Sequence, residues 1–103
     1  MKRYALTPLA EADVMAIWAF IAADSIDAAD RVELEIYEAC EFLAKSPLRG
    51  HVRKDLTKRN LRFWTLTRYP NYIVVCVPGK RPVRILAVLH SKQNLKRILS
   101  KRL

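Results

Sequence analysis

The apolar residues of this chain change period once, at Pro47, and that change limits the folds open to it. Before Pro47, Ala10, Val14, Ile17, Trp18 and Ile21 recur at helical steps, and Ala29, Val32, Ile36, Ala39, Cys40 and Leu43 form a second one-sided stripe. After it the helical period disappears, and aromatic and β-branched residues gather in short runs between Pro, Gly and Asn. Helices first and strands afterwards point to an α+β chain, because a helical pair and a sheet must each bury one apolar face. With 103 residues, there is room for a single domain over 1–103 and for no second core.

Local signals set the expected boundaries. Lys2 to Leu6 reads as a short strand that passes directly into a helix at Thr7-Pro8, where Thr caps and Pro suits the first turn. Glu11 and Asp13 stand in the early turns, where the helix dipole favours anions. That helix is expected to end near Ala23-Asp24. Ser25 or Asp27 caps a second one, which stops at Lys45-Ser46-Pro47. So short a connection folds the two into an antiparallel hairpin.

Beyond a polar, basic loop containing Gly50, strands are expected at Leu61 to Leu66, Tyr72 to Val77 and Val83 to His90. Tyr69-Pro70-Asn71 and Pro78 to Pro82 supply the turns. In the last strand, alternation assigns Val83, Ile85, Ala87 and Leu89 to one face and Arg84, Leu86, Val88 and His90 to the other. Ser91 is the expected cap of a short basic tail helix with Leu95, Ile98 and Leu99 along one side. The result is a helical hairpin laid on a small, mainly antiparallel sheet with the N-terminal strand at an edge. Arg62, Arg68, Arg84, His90 and Lys92 are expected on or beside the sheet face that the hairpin leaves uncovered.

Charge is distributed unevenly about the same boundary. Residues 1–46 hold four cations and nine acids, a net of −5, whereas 47–103 hold fifteen cations and the single acid Asp55, a net of +14. The segment Arg49 to Arg68 alone carries seven cations. Clustered charge of one sign steers association with a polyanion or an acidic protein segment. The apolar stretches fall short of the roughly 20 residues a membrane span needs, and the N-terminus lacks the apolar region of a signal peptide, so a cytoplasmic protein is expected. Cys40 and Cys76 lie in apolar contexts outside any CxxC pair and read as buried thiols. With two Gly, two His and two Cys, neither a phosphate loop nor a metal site is expected, and no cofactor is implied.

Four stretches together resemble one family. Thr7-Pro8-Leu9-Ala10-Glu11-Ala12-Asp13-Val14 with Ile17-Trp18 is similar to the opening of ParE-type toxins of the RelE/ParE superfamily. Ala28-Ala29-Asp30-Arg31 with Ile36 resembles their second-helix start, and Leu43 to Gly50 their helix exit. Tyr72 to Cys76 and Val83 to His90 resemble their paired strands. The chain departs from the family where His90-Ser91-Lys92-Gln93-Asn94 replaces a usual H-G-x-R-D, and where Cys76 replaces a tyrosine. The resemblance implies the toxin of a type II, plasmid-stabilisation-type toxin–antitoxin pair, bound by a ParD-like antitoxin in a hetero-oligomer and inhibiting DNA gyrase without an active site of its own. Antitoxins of this kind wrap an extended, often acidic tail over the toxin, which a basic half-chain would attract. Candidate contacts to antitoxin or target are Arg53, Lys54, Lys58, Arg59, Arg62, Arg68, Arg84, His90, Lys92, Lys96 and Arg97.

RelE-like relatives cleave mRNA on the ribosome, the enzymatic alternative. Cleavage beside a 2′-hydroxyl needs a base, cations for the phosphorane and an acid for the leaving oxygen. Arg62, Arg84 and His90 are the candidates for those roles. A simple nucleic-acid-binding module is the third option, with Phe63, Trp64, Tyr69 and Tyr72 available to stack on bases, although Trp18, Phe20 and the sheet aromatics read more simply as packing.

Overall fold

The computed structural model describes residues 3–103. In order, the elements are β1 (Tyr4–Leu6), α1 (Pro8–Ala22), α2 (Ile26–Lys45), a 3-10 turn (Pro47–Arg49), β2 (Arg62–Thr65), β3 (Tyr72–Val77), β4 (Val83–His90) and α3 (Leu95–Arg102). The strand start expected at Lys2 lies outside the described residues. Thr7 Oγ1 accepts the Ala10 N–H at 3.1 Å, and Ser25 Oγ accepts that of Ala28 at 3.1 Å, so Ser25 rather than Asp27 caps α2. Trp18 Nε1 donates to Asp30 Oδ1 at 2.8 Å and ties the two helices together. The last helix starts later than Ser91: Asn94 Oδ1 accepts the Arg97 N–H at 3.1 Å, because His90 to Gln93 form a turn of their own.

The sheet has the order β1-β4-β3-β2, with β1 parallel to β4 at one edge and the other pairs antiparallel. On one face Val14, Val32, Ile36, Cys40 and Leu43 of the hairpin pack against Val74, Cys76, Val83, Ile85 and Val88. The other face is covered too, which corrects the expectation of an open one. Leu99 of α3 packs there with Leu61, Phe63, Ile73, Val75, Leu86 and Leu89, and Leu56 and Ile98 flank them. Burial on both faces explains why β3 is apolar at nearly every position.

A β-bulge in β4 breaks the expected alternation. Val75 pairs with Ala87 but Cys76 pairs with Ile85, so Leu86 has no residue opposite it. Leu86, Ala87 and Leu89 therefore face α3, while Val83, Ile85 and Val88 face the hairpin. β1 ends at Leu6, leaving this part of β4 without a strand neighbour on its outer edge, and side chains take the exposed backbone groups. Leu86 C=O accepts from Thr7 Oγ1 and Arg102 Nη1, each at 3.3 Å, and Val88 N–H donates to Asp13 Oδ2 at 3.0 Å. Arg102 in turn grips both Asp13 oxygens, with Nη2 to Oδ1 at 2.9 Å and Nη1 to Oδ2. Donating these hydrogen bonds to Asp13 raises the Arg102 pKa above its ordinary value.

Cys40 and Cys76 are free and buried. Burial pushes the Cys40 thiol up to about 12 and the Cys76 thiol up to about 11, the latter partly offset by the Arg62 charge. Both stay protonated and unreactive at neutral pH.

Gly50 fixes how α2 meets the sheet. A Cβ there would stand 2.7 Å from Arg62 Cβ and 3.3 Å from Phe63 N. Arg62 Nη1 reaches the carbonyls of Leu48 at 3.2 Å and Gly50 at 3.3 Å, so this close approach is also what anchors the 3-10 turn. Gly50→Ala is expected to cost about 1–3 kcal/mol through overpacking, read as a fall in melting temperature of roughly 4–8 °C per kcal/mol. An unchanged melt would show that the turn moves aside freely.

Candidate functional site

The basic residues separate into two groups on opposite sides of the sheet, because β4 and β2 expose alternate side chains to different layers. Arg84 projects from the face that α3 covers, and Lys54, Lys58, Arg59, Lys96 and Arg97 are exposed on the loop and helix that cover it. Arg53 belongs to the same loop, but Asp55 holds it through two hydrogen bonds, Nε to Oδ1 at 2.9 Å and Nη2 to Oδ2 at 2.8 Å. This pairing draws the Asp55 carboxyl below its usual pKa and raises that of Arg53. Arg62, Arg68, His90 and Lys92 lie on the hairpin side instead. The five residues expected to gather on one uncovered face thus do not gather.

The same geometry separates the three residues a ribonuclease would use. Arg62 pairs in register with Cys76 and His90 with Tyr72, at opposite ends of β3, roughly 13 Å apart along the strand at ~3.3 Å per residue. Arg84 is on the other face of the sheet, opposite Val77. Arg62 is committed to the carbonyls of Leu48 and Gly50. His90 Nδ1 accepts the Lys92 backbone N–H at 3.0 Å, while the His90 backbone N–H donates to Gln93 Oε1 at 2.7 Å, so the imidazole and the Gln93 side chain cap the turn after β4. Of the carboxylates, Asp13 is paired with Arg102 and Asp55 with Arg53. Among the described residues there is also no His, Cys, Asp and Glu group able to hold a metal ion.

What sequence reasoning missed is a second apolar face on α1. Val14 and Ala10 point into the core, but Met15 and Phe20 are 73% and 77% exposed, with Ala12, Ala16 and Ala19 exposed between them. Phe20 is therefore not helix packing. The signal was available: the sequence PLAEADVMAIWAFIA contains only Glu11 and Asp13 as charged residues, so α1 has no polar face to give to water. A helix that is apolar all round is normally enclosed, and a contiguous exposed apolar patch marks a contact surface. One end of the stripe opens into a cavity of about 550 Å³ lined by Ala16, Ile17, Phe20, Tyr72, His90, Lys92 and Gln93. The Tyr72 and His90 rings meet edge to face there at 5.1 Å. The shape suits an apolar side chain with an anionic neighbour for Lys92.

A second cavity, of about 430 Å³, lies on the other side of the hairpin between α2 and β2, lined by Glu35, Glu38, Phe42, Trp64, Leu66 and Arg68 among others. The Arg68 N–H donates to Glu35 Oε2 at 2.9 Å, which fixes the β2–β3 turn against α2. Among the described residues no helix is long and apolar enough to cross a membrane.

Comparison with known proteins agrees with this architecture. A solved structure titled "Chromosomal ParDE TA system from P. aeruginosa" superposes with a TM-score of 0.70 at 21% identity, covering 87% of this chain and 96% of its own, a likeness of fold. No curated protein matches the chain. The family described as "ParE toxin of type II toxin-antitoxin system, parDE" matches residues 4–95, which span β1 through to the first residue of α3. The chain belongs to the ParE family of type II toxin–antitoxin toxins.

Proposed function

We propose that this toxin arrests bacterial growth by binding DNA gyrase rather than by catalysing a reaction, and that a ParD-like antitoxin holds it silent in the cytoplasm. The observation that carries the proposal is the outer face of α1, an exposed apolar helix surface ending in a cavity, which is the chemistry of a protein contact. The ParDE assembly named in the matching structure's title supports an antitoxin as the partner that covers it. The cations on the α3 side, Lys54, Lys58, Arg59, Arg84, Lys96 and Arg97, form the surface for an acidic antitoxin tail in the silent state and for the anionic gyrase–DNA assembly in the free one. The wide separation of Arg62, Arg84 and His90 argues against the ribonuclease alternative, because acid–base and phosphorane-stabilising groups must meet at one phosphate.

Inducible expression in a bacterial host tests this, scored for filamentation and DNA-damage response with mRNA 5′ ends mapped in parallel. Filamentation with intact mRNA is the expected result. Growth arrest with new codon-phased mRNA ends would replace the gyrase reading with ribosome-dependent cleavage.

A further inference from the structure

The cavity between α2 and β2 differs in charge from the basic faces of the molecule. Its inner wall is aromatic, with Phe42 and Trp64 centroids 4.7 Å apart, and outside the cavity His51 stacks on Trp64 at 6.1 Å with an interplanar angle of 6°. Its rim carries two carboxylates against one cation: Glu35 and Glu38 come from α2, which holds six acids against two cations in a chain of net charge +9, and Arg68 comes from the β2–β3 turn. Glu38 is exposed and has no hydrogen-bond or ion-pair partner among the described residues.

Next to this cavity is a free strand edge. β2 is the outer strand of the sheet, and His51 closes only the backbone of Phe63, with N–H to O contacts of 2.7 and 2.8 Å. Backbone groups point outward at every second residue, so Thr65 presents the next pair. Thr65 is exposed, and nothing among the described residues pairs with it on that side. An unpaired edge is a template for an extended segment, whose main chain gives affinity while a side-chain pocket gives selectivity.

We infer that an extended segment of the antitoxin pairs with β2 at Thr65 and places an arginine side chain in this cavity, its stem on Phe42 and Trp64 and its guanidinium at Glu38. The inference rests on the antitoxin reading above. An arginine fits the features together: its stem covers apolar surface, its planar head lies well against aromatic rings, and its fork of donors matches a carboxylate. An acidic side chain or a phosphate backbone would meet two carboxylates, Glu35 and Glu38, against the one cation Arg68. A second copy of a chain with net charge +9 would be repelled over the molecule as a whole.

The test uses the full-length toxin and the antitoxin encoded beside its gene, with affinity measured by titration calorimetry. Glu38→Arg is expected to weaken binding about 30-fold or more, and the isosteric Glu38→Gln about tenfold, as for loss of one partner of a partly desolvated charge pair. Asp24→Arg makes the same charge change in the turn between α1 and α2, and is expected to stay within about twofold of wild type at moderate salt. Reversal of one antitoxin arginine to glutamate should restore most of the affinity for Glu38→Arg. Equal binding by Glu38→Arg and wild type overturns the inference and leaves the antitoxin reading standing, as does the failure of every antitoxin arginine to rescue. If wild-type toxin does not bind that antitoxin at all, both readings fall.

Discussion

Replacing Asp13 by alanine is expected to destabilise the protein by about 3 kcal/mol, a fall in melting temperature of roughly 12–24 °C for a domain of this size. The cause lies in the β4 bulge. Asp13 and Arg102 side chains are only 15% and 13% exposed, and Asp13 also accepts the Val88 N–H that the sheet leaves unpaired. Alanine strands three groups together: a largely buried guanidinium, the Val88 N–H and part of the Leu86 carbonyl's support. Asp13→Asn separates charge from shape. It keeps an oxygen for Val88 while losing the ion pair, and should cost less than the alanine change. A double-mutant cycle with Arg102→Ala should return a coupling of about 1–3 kcal/mol, since residues sharing one network are not additive. A melt of Asp13→Ala within about 2 °C of wild type would mean that water satisfies the bulge and that α3 is not latched to α1 by this pair.

Phe20→Asp is expected to do the reverse: leave the fold intact and abolish a contact. The ring is 77% exposed, so its loss should change stability by no more than about 0.5 kcal/mol. In the complex it would be a central aromatic anchor beside the Ala16, Ile17 and Tyr72 cavity, and a buried carboxylate in its place should reduce antitoxin affinity by about 100-fold or more. Surface plasmon resonance against the antitoxin, alongside a thermal melt, reads both quantities. Unchanged affinity would show that the apolar stripe of α1 is not where the antitoxin docks and would move attention to the basic face.

The elements were legible because their signals are local. Thr7-Pro8 and Ser25 cap the helices, Pro47 ends α2, and the unbroken apolar run Tyr72 to Val77 marks the central strand. What escaped depends on partners far away in sequence. The bulge at Leu86 is stabilised by Thr7, Asp13 and Arg102, which are 16 to 79 residues distant, and no pattern within Val83 to His90 announces it. Its effect was to move Ala87 and Leu89 to the α3 face and Val88 to the hairpin face, opposite to strict alternation. The site was less legible than the fold for a related reason. Counting cations by sequence joined Arg62, Arg84 and His90 into one set, but strand register and pleat direct them to different ends and faces. The apolar outer face of α1 is visible in the sequence as a missing polar stripe, but periodicity alone does not separate a buried apolar face from an exposed one.

The most direct measurement is the supercoiling of relaxed plasmid by purified gyrase, titrated with this toxin alone and with toxin preincubated with its antitoxin. Inhibition that rises with toxin, and disappears when the antitoxin is bound, is the expected result. Full supercoiling activity in the presence of a folded toxin that still arrests growth would contradict gyrase as the target.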